Sequence, residues 1–242
     1  MNASPYAWLM LAGIAVSIIV WSRLAKRDER LLFIYVAALI GAFLGAKLVY
    51  LFAEGWIDWH QPNRWLRLAT GKSIVGGLLG GYLAVELAKR FVGFNSATGD
   101  WFALIAPIGI TMGRIGCLLH GCCPGAACER SWYTRDDAEG VARWPAVPVE
   151  IAFNVVAIIA FMVFRKRRVL SGQHFHLYLI AYGFFRFAHE FVRATPRLIG
   201  PFSGYAIAAL AMATFGILAF TKRAREPRGA GDIHVTLRVD PP

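Results

Sequence analysis

Gly113-Arg114-Ile115-Gly116-Cys117-Leu118-Leu119-His120-Gly121-Cys122-Cys123-Pro124-Gly125 closes a long apolar run and opens a polar loop. It combines an arginine at the apolar edge, a histidine, four glycines and three of the chain's four cysteines, with Cys128 just beyond. A charged side chain at membrane depth is costly and marks a functional site by default. Glycines admit close approach of backbone or ligand. The fold turns on whether Arg114 lies at such a depth, and the flanking sequence answers that.

The chain is 57% hydrophobic over 242 residues, above the about 45–50% of soluble domains. Seven segments approach the roughly 20 mostly apolar residues that a spanning helix needs: 6–21, 31–53, 74–92, 101–119, 147–164, 175–192 and 202–220. The first has no basic residue before it and no small-residue cleavage site, so it reads as a span rather than a signal peptide. The net charge of +11 comes from short basic clusters between apolar runs. That distribution sets topology and favours anionic headgroups. No nucleic-acid motif is present.

With seven spans, four basic sets fall on one side: Arg23 to Arg30, Lys89 and Arg90, Arg165 to Arg168, and Lys222 to Arg228. Positive-inside then puts the N-terminus out and the C-terminus in. The expectation is an all-α integral membrane protein with one domain, residues 1–221. Outer loops lie at 54–72, 120–146 and 193–201, and a polar cytoplasmic tail at 222–242. Trp56, Trp59 and Trp65 place the first loop along the membrane surface.

Arg114 and Arg186 fall inside spans near their outer ends. Both would leave bare charge in the bilayer without an anion between them, and a lipid phosphate is the natural one at that depth. Arginine's planar fork suits phosphate oxygens, and two such groups can stabilise a departing phosphate. His189 and Glu190 lie one turn beyond Arg186, near the same face. Arg193 reads as snorkelling to the headgroups. Gly76-Gly77 and Gly80-Gly81 make a groove for helix packing or for a lipid chain. Lys47 and Glu86, in neighbouring spans, are candidates to pair with each other or with other polar groups.

Cys117, Cys122, Cys123 and Cys128 fall at or just outside the outer face. In an oxidising compartment the leading reading is a disulfide staple, with three full pairings open. A zinc site with His120 is a second reading, although the spacing is not a standard finger pattern. A nucleophilic thiol, with Arg114 and His120 lowering its pKa, is the third. His120 is a base, a ligand or a satisfied loop histidine. His60, His174, His176 and His234 receive no role.

These motifs, in this order, resemble the prolipoprotein diacylglyceryl transferase family. Gly113-Arg114-Ile115-Gly116 opens its signature, and Tyr182-Gly183-Phe184-Phe185-Arg186 matches its Tyr-Gly-x-x-Arg, with Glu190 and Arg193 in step. Further matches are Tyr6-Ala7, Gly45-Ala46-Lys47, Ser73 to Gly77, Asp100 with Ala106-Pro107, Gly125 and Pro148-Val149-Glu150. The resemblance implies transfer of a diacylglyceryl group from phosphatidylglycerol to the lipobox cysteine in the signal peptide of a prolipoprotein. The setting is the bacterial plasma membrane, with the site facing outward. It implies Arg114 and Arg186 around the lipid phosphate, with Tyr6, Gly76, Gly77, Gly113, Gly116, Tyr182 and Glu190 in the substrate cavity. No metal or organic cofactor is implied.

The departures lie where the acceptor thiol would be activated. The family's histidine in Ser-Phe-His-Gly-Gly is Val75 here, and its asparagine positions carry Cys117 and His120. Its glutamate position carries Cys122, and Ala126 stands where its arginine ends the signature. His120 or His189 would have to serve as base. Two alternatives stay open: a membrane thiol enzyme using its own cysteines on another lipid or small acceptor, and a non-catalytic lipid-binding protein.

Overall fold

The structure is a computed structural model. It describes residues 28–225 together with Gly13, Ala15, residues 17–19, Trp21, Ser22 and Lys26. The expectations for Tyr6, for most of the 6–21 span and for the tail past Arg225 lie outside the described residues. The described positions from 13 to 22 are helical.

Seven labelled helices follow: α1 Arg30–Tyr50, α2 Arg64–Thr70, α3 Ile74–Phe91, α4 Gly99–His120, α5 Ala146–Lys166, α6 His174–Glu190 and α7 Gly204–Arg225. α1 runs on through a π-helical turn, Leu51–Gly55, to Asp58. The helical class is as expected. The strands among the described residues are a two-residue antiparallel ribbon, Arg135–Asp136 with Ala142–Arg143, in the long loop after α4.

Among the described residues, four stretches are long and apolar enough to cross a membrane: Arg30–Asp58, Gly99–His120, Ala146–Lys166 and Gly204–Arg225. α2 and α3, bent by 53° at Gly71-Lys72-Ser73, make a fifth if taken as one span. α6, read in the sequence as the sixth span, has 17 residues and carries Arg186, His189 and Glu190. Its polar groups are buried against other helices, so it does not need an apolar surface all round. Outward faces elsewhere are apolar, with Ile40, Phe43 and Leu48 on α1 and Val156 on α5 all exposed. Such surface suits lipid, where only helices or closed barrels satisfy their own backbone.

Glycine lets the helices touch. A Cβ at Gly45 would meet the backbone of Gly76 and Gly80, and one at Gly41 would meet Gly80. The Gly76/Gly80 pair therefore packs α3 against α1 by close backbone approach. α6 and α7 meet similarly, where Gly183 faces Ala209 and Ala213. Ser73 starts α3 as its N-cap, accepting from Gly76 N at 3.3 Å. Tyr178, Leu179, Tyr182 and Met212 fill the core between these pairs.

Two polar groups find partners that the sequence left open or unassigned. Of the two alternatives for Lys47, the structure shows pairing with other polar groups: its ammonium donates to the carbonyls of Leu68, Ala69 and Gly71 at the end of α2. That position complements a helix C-terminus. Glu86 pairs with Lys89 at 3.1 Å. His174, given no role in the sequence, is buried beside Asp100, which also accepts from Gly172 N and His174 N. Asp100 thereby fastens the α5–α6 turn to the start of α4.

Candidate active site

α4 delivers Arg114 one and a half turns before its end, where Gly121 at φ +68° terminates the helix. Arg114 is buried, and its Nε lies 3.0 Å from Glu150 Oε2. Glu150 sits in the first turns of α5, fully buried. Its other oxygen accepts from Tyr182 Oη at 2.6 Å. One turn further along α5, Asn154 accepts from Tyr178 Oη at 2.6 Å. Two tyrosines of α6 thus orient α5 and hold the carboxylate still.

α6 delivers Arg186, whose Nη1 lies 2.6 Å from Glu190 Oε2. Glu190, fully buried, also accepts from Thr195 Oγ1 and from Ser203 Oγ. Each predicted arginine therefore has a buried carboxylate of its own. A burial cost of several kcal/mol per ion is offset only by such pairing.

A third guanidinium joins them. Arg193 is 7% exposed, with Nη1 3.6 Å from Glu150 Oε2. Its Nε and Nη1 make no hydrogen bond among the described residues. The snorkelling expectation is therefore corrected: Arg193 points into the protein. Backbone pairing puts it there. Gly125 bridges Arg193, Ala126 N donates to Val192 O at 2.8 Å, and Trp144 N donates to Ala126 O at 3.0 Å. Gly125 is required at this crossing, because a Cβ would strike the Trp144 carbonyl. Three guanidiniums thus meet two contact carboxylates, Glu150 and Glu190.

Arg114, Arg186 and Arg193 line one end of a cavity of about 1450 Å³. Gly77, Gly109 and Gly113 line it too, and added Cβ atoms at Gly109 and Gly113 would meet nothing within 4 Å among the described residues. Glu150 and Glu190 do not line it, so the carboxylates stand behind the arginines. Cys117, His120, Cys122 and Cys123 line the same end.

The remaining predicted residues divide. Gly76 packs on α1, Gly116 is buried, and Tyr182 acts through Glu150. His189 is buried, stacked on Phe185 at 5.0 Å, with neither ring nitrogen hydrogen-bonded among the described residues, and it does not line the cavity. His120 is exposed at the rim. Glu150 and Arg193 were the residues that sequence reasoning undervalued. Glu150 is an acid at the start of an apolar run, and Arg193 stands seven residues after Arg186 with Glu190 between.

In this structure all four cysteines are free thiols. The loop is held by the backbone pairing above and by Cys122 N donating to Cys117 O at 3.1 Å. Cys117, Cys122 and Cys123 group their sulfur atoms within 4.8 Å of one another. Cys128 stands apart and exposed. Arg114 Nη1 is 4.0 Å from Cys117 Sγ. The Cys123 thiol is held down to about 5 by a hydrogen bond from Cys117, with Arg114 and Arg193 adding to the effect.

The prolipoprotein diacylglyceryl transferase family model matches residues 2–222. A phosphatidylglycerol–prolipoprotein diacylglyceryl transferase of Azotobacter vinelandii is 32% identical over 201 residues, covering 78% of this chain and 71% of that protein. Its namesake in Methylococcus capsulatus is 30% identical over 207 residues, covering 78% and 76%. One from Clostridium tetani is 24% identical over 204 residues, covering 79% and 81%.

Proposed function

The chain belongs to the prolipoprotein diacylglyceryl transferase family, and from that premise we propose that it moves a diacylglyceryl group from phosphatidylglycerol to the lipobox cysteine of a prolipoprotein. The observation that carries this reading is the cluster of three buried guanidiniums at one cavity end. They have two carboxylates in contact with them, and Arg193 Nε has no hydrogen-bond partner among the described residues. A phosphodiester brings negative charge to the cluster and an acceptor for that donor.

In this reading the phosphate sits among Arg114, Arg186 and Arg193, and the acyl chains run along the apolar remainder of the cavity. The acceptor thiolate attacks the glyceryl carbon, forming the S–C bond. The C–O bond to phosphate breaks, and its electron pair leaves with glycerol phosphate. The leaving group gains one negative charge as it departs, and preorganised guanidiniums stabilise charge that develops there. Glu150 and Glu190 position the arginines and do not touch the substrate. Transfer onto one of the chain's own cysteines is disfavoured chemically, because the resulting thioether has no good leaving group for a second displacement.

The same reading carries the seven-span topology, N-terminus out and C-terminus in, for a domain over residues 1–221 followed by a cytoplasmic tail. The cavity end with the arginines then faces outward from the bacterial inner membrane. The test is lipidation of a lipobox peptide by purified protein in phosphatidylglycerol vesicles. Arg193→Ala should lower transfer by about 10²–10³-fold, as loss of one charge-stabilising donor does. Unchanged transfer in Arg114→Ala and Arg193→Ala together would overturn the assignment.

A further inference from the structure

Val75 occupies the position where the family resemblance places a base, His189 does not line the cavity and His120 stands exposed at its rim, which leaves room for a second way for the acceptor thiol to lose its proton. The cysteine cluster offers one. The sulfur atoms of Cys117, Cys122 and Cys123 lie within 4.8 Å of one another. A Zn–S bond of about 2.3 Å sets S···S separations of roughly 3.8–4.0 Å for tetrahedral to trigonal arrangements, so one ion can draw all three together with small side-chain adjustments. Cys123 holds φ +63°, a left-handed conformation that non-glycine residues seldom adopt. Such outliers persist where the surroundings over-determine them. Among the described residues no fourth histidine, cysteine or carboxylate joins the group. Three protein ligands with one open position are the pattern of catalytic rather than structural zinc. All three cysteines line the cavity beside Arg114 and Arg193.

We propose that Cys117, Cys122 and Cys123 bind one thiophilic d10 cation, Zn2+ foremost, whose open fourth position takes the acceptor thiol. Thiolate sulfur selects such ions over harder ones. The inference rests on the transferase reading for the identity of the fourth ligand and on the cluster alone for the ion. A thiol that coordinates zinc is deprotonated on binding. Its proton passes to water at the cavity rim, where His120 is exposed. The bound thiolate then forms the S–C bond, glycerol phosphate leaves with the electron pair of the C–O bond, and the thioether product, a weaker ligand, departs. The ion is neither oxidised nor reduced.

The experiment uses the full chain in lipid nanodiscs, purified with reductant and without chelator. Metal analysis should find one Zn2+ per chain. Cys117→Ser, Cys122→Ser and Cys123→Ser should each weaken Zn2+ binding by more than the roughly 10–100-fold that loss of an outer partner costs, while Cys128→Ser binds normally. With Co2+ in place of Zn2+, the sulfur-to-metal absorption should shift when a lipobox peptide is added, and should not shift with the Cys→Ser peptide. Absence of a stoichiometric ion would overturn the proposal. So would a disulfide between Cys117 and Cys123 in protein purified without reductant, or a Co2+ spectrum blind to the peptide. Full lipidation by the triple serine variant would sink the zinc route and leave the transferase reading standing. A peptide-dependent Co2+ spectrum without any lipidation from phosphatidylglycerol would support the metal site and sink that reading.

Discussion

Glu150 is the residue on which the arginine cluster depends. It touches Arg114, Arg193 and Tyr182 while exposing none of its surface. Glu150→Ala leaves two guanidiniums without that partner and should destabilise the protein by about 3–5 kcal/mol, the cost of breaking a buried pair. Glu150→Gln keeps an acceptor for Tyr182 and should retain more of the fold than Glu150→Ala; thermal unfolding in detergent separates the two. Arg114→Lys keeps the charge but loses the planar fork. It should lower transfer more than it lowers thermal stability. Equal loss in both would mean that Arg114 is only structural.

Among the elements, the glycine contacts set what can change. Gly45→Val would drive a branched side chain into the backbone of α3. The loss should be at least the ~1–3 kcal/mol of overpacking, read as a lower unfolding temperature. Gly113→Phe meets open space instead, so unfolding should be nearly unaffected. The ring would fill the cavity beside Arg114, and transfer should drop about tenfold or more, that is ~1.4 kcal/mol in the barrier. These two glycines look alike in the sequence, and only the packing separates them. The apolar runs and their basic punctuation made the long helices legible. The π-helical turn at Leu51–Gly55 and the 53° bend before α3 were not legible, because no proline marks either of them. Arg114 and Arg186 could be read from charge inside apolar runs. Arg193 was misread, because its burial comes from a strand-like bridge to Gly125, which no local pattern announces.

For the whole molecule, the topology yields a labelling experiment. Cys128 is exposed in the 120–146 loop. A membrane-impermeant thiol reagent should modify it from outside intact cells. Arg167→Cys, introduced in a Cys128→Ser background, should react only after permeabilisation. The reverse pattern would invert the orientation proposed from the basic clusters. The bridge between Gly125 and Arg193 ties the cysteine-bearing loop to a cavity-lining guanidinium through two neighbouring backbones. Movement of that loop when a cargo chain docks would be transmitted to the donor's headgroup. Donor and acceptor would then sense each other's presence, and each would tighten or loosen the grip on its counterpart before any bond is exchanged.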